Sequence, residues 1–147
     1  MKTIAKILPV AARLVLGLVF FVFGLNGFLH FLPQPPLTGP PGAFVSALAS
    51  SGYLLTLLSA TQVLSGVLLL SGFFVPLALT LLAPVIVNIV AFRLFLAPGN
   101  YIVVGVVLVS ELFLAWSYRA AFAAMLQART SPQIPHLTTV ALRHAPA

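Results

Sequence analysis

The chain contains no cysteine and only one acidic side chain, Glu111. The lack of cysteine excludes disulfides, thiolate metal sites and dithiol redox chemistry carried by this chain. Charged residues make up 5% of the 147 residues, whereas soluble domains carry about a quarter. A chain with so few charges cannot cover itself with a solvated surface, which excludes an ordinary soluble domain.

Hydrophobic residues are abundant instead. They form 61% of the chain, and the mean hydropathy is +1.18. Because a helix needs about 20 apolar residues to cross a bilayer, the sequence predicts an all-α integral membrane four-helix bundle. The expected spans are residues 7–32, 53–70, 75–96 and 101–122. Residues 1–122 thus form one transmembrane domain, and residues 123–147 are expected to be a flexible, polar tail.

Prolines divide the apolar runs. The stretch GLNGFLHFLPQPPLTGPPG, residues 24–42, begins as a membrane helix and ends in a proline cluster that a helix cannot cross. The outer loop that follows, residues 33–52, is predicted to contain a short interfacial helix, because Phe44, Ala47 and Leu48 recur at helical spacing. Pro84, within the third span, predicts a kink. The basic start and long apolar run at the N-terminus predict a retained first helix rather than a cleaved signal peptide.

Basic residues and aromatic residues both predict the orientation. The net charge is +6, and sparse Lys and Arg residues near the two ends indicate contact with the lipid bilayer rather than nucleic acid. The positive-inside rule then puts both termini in the cytoplasm. Two aromatic residues are expected at each membrane boundary. The basic residues are Lys2, Lys6, Arg119, Arg129 and Arg143, and the aromatic residues are Tyr53 and Tyr101 outside and Trp116 and Tyr118 inside.

Six polar side chains fall in the outer half of the predicted spans when each is placed at 1.5 Å per residue. Polar residues that gather in one leaflet predict a single pocket that opens outward, with these side chains as candidate ligand contacts. Two of them, Asn88 and Arg93, are about 140° apart on one helix, so they cannot point at the same spot. The six residues are Asn26, His30, Gln62, Asn88, Arg93 and Glu111.

Each of these residues also has a purely structural interpretation. Glu111 should be paired or protonated near the bilayer centre, and Arg93 is its obvious partner. Alternatively, Arg93 extends to the membrane interface and His30 belongs to the interfacial belt. The three amide side chains, Asn26, Gln62 and Asn88, then join helices by hydrogen bonds. Metal binding is not expected, because one His and one distant Glu do not make a first coordination shell. No catalytic set of side chains is present either, and the glycines of the first span are expected at close helix contacts.

Three stretches resemble the DoxX family of small bacterial membrane proteins: RLVLGLVFFVFGLNGFLHFLPQPP, GYLLTLLSATQVLSGVLLLSGFFVPLALTLLAPVIVNIVAF and ELFLAWSYRAAF. The recognisable residues are Arg13, Gly17, Gly24 and the segment from Gln62 through Gly66 to Gly72. The resemblance implies a multi-pass protein of the bacterial inner membrane. It also implies an accessory subunit in a quinone-linked system, because the family takes its name from a subunit of a thiosulfate:quinone oxidoreductase. The family commonly has an acidic residue where this chain has Gln62.

Three functions therefore remain open. The first is an accessory subunit of a redox or quinone-linked membrane system, with no intrinsic cofactor, a bound quinone in the outward pocket and a membrane or redox partner protein. The second is a small-molecule transporter or binder that uses Glu111 for proton coupling. The third is an assembly or scaffold protein without a ligand, which binds other helices through its small-residue faces.

Overall fold

The computed structural model describes residues 2–33, 36–99 and 101–125, and the side chains within 7–33, 36–99 and 101–123. All regular structure in these ranges is helical. The helices are α1 (Lys2–Leu29), α2 (Gly39–Ser50), α3 (Leu54–Ser71), α4 (Val75–Ala91), which continues as a π-helical segment (Phe92–Leu96), α5 (Tyr101–Ser117) and α6 (Arg119–Met125). Most of the predicted tail lies outside the described residues.

Three of the helices are long and apolar enough to cross a membrane: Ile7–Leu29 within α1, α3, and α4 with its π-helical end. The apolar helix α5 is shorter, with 17 residues. Large hydrophobic side chains on the outside of these helices are exposed, including Leu29, Val87 and Ile102. A soluble monomer rarely exposes such extensive apolar surface. The architecture is therefore that of a membrane protein.

Helices α1 and α3 pack antiparallel at very short distance through glycines. A Cβ atom on Gly66 would lie 2.7 Å from the Phe21 nitrogen, and one on Gly24 would lie 2.8 Å from the Val63 nitrogen. Further along the same contact, Gly27 meets Ser59. As the residue number rises along α1, the number of the contacted residue on α3 falls by about the same amount. The glycines therefore form one continuous seam. This confirms the prediction that the α1 glycines are close-packing positions.

The remaining contacts close a ring. Helix α3 packs on α4, α4 on α5, and α5 on α1. We call the end of this ring that carries α2 and the turn at Pro98 the outer end, and the end that carries the Gly72 turn the inner end. Side chains from all four helices fill the inner half: Leu16, Leu69, Val75, Ala78, Leu79, Leu82 and Leu114, each at most 2% exposed.

The turn at the inner end has a specific cause. Gly72 ends α3 with a φ of 80°, a left-handed conformation that suits glycine, and its N–H donates to the Leu68 carbonyl at 3.0 Å. The Arg13 guanidinium lies against Gly72, so its charge is near the partially negative C-terminus of α3. Arg13, one of the residues that carry the DoxX resemblance, thus contacts the turn between α3 and α4.

Two predicted helix ends are wrong. Helix α1 ends at Leu29, not at residue 32, because His30 adopts a φ of 50° before the proline cluster is reached. The fourth span does not run unbroken to residue 122, since α5 stops at Ser117 and α6 begins at Arg119. The Ser117 hydroxyl donates to the Phe113 carbonyl at 2.8 Å, a local bond that competes with the helical ladder and bends helices.

The predicted interfacial helix is present, and it begins earlier than its apolar spacing indicated. Two prolines occupy the first turn of α2, where a missing N–H costs nothing. The Phe44 ring packs against Phe92 with centroids 5.6 Å apart, so α2 rests on the outer end of the ring. The Ser51 hydroxyl donates to the Leu48 carbonyl and accepts from the Leu54 N–H at 3.1 Å, which ends α2 and starts α3 within one turn.

Candidate functional site

A cavity of about 380 Å³ lies inside the outer half of the ring. Its volume is within the range of ~300–1,000 Å³ typical of small-molecule sites. Three of the six predicted polar residues line it, one from each of three helices: Asn26, Gln62 and Arg93. The rest of the wall is mostly apolar and comprises Val19, Phe20, Phe23, Leu55, Leu58, Ile89, Val103, Val104 and Val107, with Gly27 and Ser59. We refer to this space as the central cavity.

Arg93 reaches the central cavity from an irregular part of its helix. The segment Phe92–Leu96 is π-helical, and the Ala97 N–H donates to the Phe92 carbonyl at 2.9 Å, a bond across five residues. The following Pro98 disfavours helical geometry at Ala97 and ends the segment. Such π-helical turns are frequent at functional sites. The sequence indicated a regular helix here, and periodicity alone gave no signal for the wider turn.

Asn26 has a structural task in addition to lining the cavity. It is only 5% exposed, and its Oδ1 accepts a hydrogen bond from the Leu32 N–H at 2.6 Å. That bond secures the chain just after α1 has ended. Its side-chain NH₂ group makes no hydrogen bond within the described residues and is the part available to a ligand.

His30 is not on the same helix as Asn26, because α1 ends at Leu29. His30 lies just beyond the end of α1, where its N–H donates to the Asn26 carbonyl at 2.9 Å. Its exposed side chain lines a separate outer groove of about 450 Å³ together with Pro33, Val45 and Leu55. Asn26 lines both this groove and the central cavity, so His30 stands at the mouth rather than inside.

Asn88 faces a different space from Arg93, as the 140° separation predicted. It lines a groove of about 470 Å³ that is formed by α3 and α4 together with Phe44 of α2. Gln62 lines this lateral groove as well as the central cavity. The expectation of one pocket for all six polar side chains is therefore wrong, because the α3–α4 pair separates Asn88 from the central cavity.

Glu111 is buried away from every cavity that the other candidates line. It lies one turn below Val107 on α5, is 7% exposed, and its Oε2 has no hydrogen-bond partner among the described residues. The expected hydrogen-bonded pair with Arg93 is therefore not formed through Oε2. The described residues also contain no group of three or more His, Asp or Glu side chains that could hold a metal ion.

The four aromatic residues assigned to the membrane boundaries differ in their exposure. Tyr53, Tyr101 and Trp116 are all more than half exposed, as boundary residues would be, whereas Tyr118 packs against the core. The Arg119 guanidinium lies 5.1 Å from the centre of the Trp116 ring. A shallow apolar depression surrounds these two side chains at the other end of the ring from the central cavity.

Sequence reasoning missed two contributions to the site. The aromatic wall formed by Phe20 and Phe23 could not be told from lipid-facing phenylalanines, because the whole helix is apolar. Ser65 was not among the six predicted residues, and its hydroxyl is completely buried without a partner in the described part of the chain. Its spacing with Gln62 on α3, three residues apart, was the available signal.

Comparison with known proteins adds no relative: no protein-family model, no curated protein and no solved structure matches the chain.

Proposed function

We propose that the protein is an accessory subunit of a redox or quinone-linked membrane system and binds a quinone in the central cavity. The observation that carries the proposal is the meeting of Asn26, Gln62 and Arg93 within an otherwise apolar space. A quinone offers two carbonyl acceptors on an apolar ring. The amide NH₂ groups and the guanidinium are donors that match those carbonyls, and the surrounding phenylalanine and valine side chains match the ring.

The proposal includes a topology. Helix α5 is the fourth crossing: its 17 residues extend about 25 Å at 1.5 Å per residue, and α6 continues from its inner end. Both termini then lie in the cytoplasm of a bacterial cell, and the central cavity opens toward the outer leaflet of the inner membrane. The antiparallel α1–α3 contact and the exposed boundary aromatics support this arrangement. The DoxX resemblance of the sequence is consistent with it and stays part of the proposal.

The test is binding of a short-chain benzoquinone to the purified protein in nanodiscs, followed as a rise in thermal stability. A ligand at 100 times its Kd stabilises a protein by about 2.7 kcal/mol. We expect the wild type to be stabilised, and we expect Gln62→Leu and Arg93→Leu to lose most of the effect, because each removes a donor from the cavity.

The matched control is Asn88→Leu, which removes an amide from the lateral groove rather than from the central cavity. It should bind the quinone as the wild type does. Equal binding by all variants would place the ligand elsewhere, and no stabilisation of the wild type would overturn the quinone proposal.

A further inference from the structure

Two unpartnered polar side chains lie in the layer directly below the central cavity. Gln62 on α3 and Val107 on α5 line the cavity, and one helical turn toward the inner end leads from them to Ser65 and Glu111. Ser65 is 0% exposed and Glu111 is 7% exposed. Neither Ser65 Oγ nor Glu111 Oε2 has a hydrogen-bond partner in the described ranges.

The rest of this layer is apolar. Helix α1 contributes Phe20, which is next to Phe21, the residue whose backbone meets Gly66. Helix α4 contributes Ile86, one turn below Ile89 of the cavity wall, and both Phe20 and Ile86 are 2% exposed. Most buried polar atoms in proteins are paired, and each exception calls for an explanation. The two exceptions, Ser65 and Glu111, lie at the same level on helices at opposite sides of the ring. We take this as an indication that they share a function.

No cationic side chain that the structure describes is placed in this layer. Arg93 lines the cavity toward the outer end, and Arg13 lies against Gly72 at the inner end. Along the chain from Glu111, the next titratable group toward the inner end is Tyr118, which lies just beyond the end of α5 and packs against the core. The buried residues that α1, α3 and α4 place at this level include Phe20, Ser65 and Ile86, and none of them is charged. Among the described side chains, Glu111 therefore faces no fixed charge at its own level.

We propose that Glu111 and Ser65 form a proton-exchange site that serves the central cavity. The Glu111 carboxyl carries a proton. Because Ser65 Oγ and Glu111 Oε2 are not hydrogen-bonded to each other, the proposed site includes a water molecule between them, and the Ser65 hydroxyl, which can donate and accept at once, connects this water to a water or ligand oxygen at the cavity floor. On transfer, the carboxyl O–H bond breaks, the proton joins the acceptor oxygen and a carboxylate remains. A proton from cavity water then restores the acid. The link to a ligand rests on the proposed function, whereas proton exchange with water does not.

Infrared spectroscopy can test this site without labelling, because Glu111 is the only acidic side chain in the chain. The carbonyl band of a protonated carboxylic acid would therefore report on Glu111 alone, once the contribution of the C-terminal carboxyl is subtracted. We expect a band that rises and falls with buffer pH in the wild type and in Asn88→Leu. The band should be absent in Glu111→Gln and shifted in both frequency and midpoint in Ser65→Ala.

The Glu111→Asp variant covers the case in which Glu111→Gln does not fold. It keeps a carboxylic acid, so its carbonyl band should persist at a shifted frequency. Absence of a titrating band in the wild type, or its persistence in Glu111→Gln, would overturn the proposal. An unchanged band in Ser65→Ala would remove Ser65 from the site and overturn the paired assignment.

A second measurement separates this inference from the quinone proposal. Calorimetric titration of a short-chain quinol, in buffers with different ionisation enthalpies, gives the number of protons exchanged on binding. We expect a proton exchange in the wild type that disappears in Glu111→Gln while the affinity changes less than threefold. Binding without proton exchange in the wild type would refute the link to the cavity. If no quinol binds, the link between Glu111 and a cavity ligand fails, whereas the benzoquinone assay decides the quinone proposal and the infrared result decides whether Glu111 exchanges protons with water.

Discussion

The inner and outer halves of the bundle are built differently. The inner half is a dry core in which leucines from all four helices are almost completely buried. The outer half contains the central cavity and two grooves, and most of the polar side chains. The tight Gly72 turn holds α3 and α4 together at the inner end, whereas α2 and irregular helix ends form the outer one. The difference shows that stability and binding are assigned to separate ends of the same helices.

The largest expected effect comes from truncating a leucine in the dry half. Leu79→Ala should destabilise the protein by about 2–5 kcal/mol, because Leu79 is fully packed and its removal leaves a void. The same substitution at Leu55, which already faces empty space, should cost less than about 2 kcal/mol. Unfolding by SDS in mixed micelles measures both. Equal losses would remove the distinction between the two halves.

The glycine seam that joins α1 to α3 gives the next effect. Gly66→Ala would place a Cβ atom 2.7 Å from the Phe21 nitrogen, so the helices must separate, at a cost of about 1–3 kcal/mol. Gly105→Ala on α5 is the control, because nothing lies within 4 Å of a Cβ atom there. Alanine favours helix over glycine, so the control should be neutral or slightly stabilising. Unfolding midpoints in the same micelles measure both variants. A midpoint for Gly66→Ala equal to that of the wild type would contradict the close packing of α1 and α3.

A smaller effect distinguishes the buried Asn26 from the exposed Asn88. Asn26→Leu removes the acceptor of the Leu32 N–H and should destabilise the protein by about 1–2 kcal/mol, because a partly buried donor loses its partner. Asn88→Leu, at an exposed amide, should change stability by less than about 0.5 kcal/mol. Thermal unfolding of the two variants checks this. A larger loss at Asn88 would mean that the lateral groove, not the end of α1, depends on its amide.

Much of this architecture could be predicted from the sequence because its causes are local. Runs of apolar residues give the helices, and Gly72 and Pro98 give their turns. The close packing of Gly24 also follows from composition and spacing. The end of α1 could not be predicted, because His30 takes a left-handed conformation that its residue type does not announce.

The site was less predictable for a different reason. Depth along a helix can be computed at a fixed rise per residue, and it correctly put the polar side chains near one end. Which side of a helix pair a residue faces depends on packing, and that packing sends Asn88 to the lateral groove. The partner of Glu111 depends on distances between helices, for which the sequence carries no direct signal.

The central claim is that small polar molecules reach the outer half of the bundle and are excluded from the inner half. The chain has no cysteine, so single-cysteine variants can be labelled without background in nanodiscs. Gln62→Cys, in the wall of the central cavity, should react with a small water-soluble thiol reagent, and a short-chain quinone should slow the reaction. Ala78→Cys, in the dry core, should stay unlabelled until the protein is unfolded. Equal labelling of both variants, or a Gln62→Cys thiol that never reacts in the folded protein, would contradict the account.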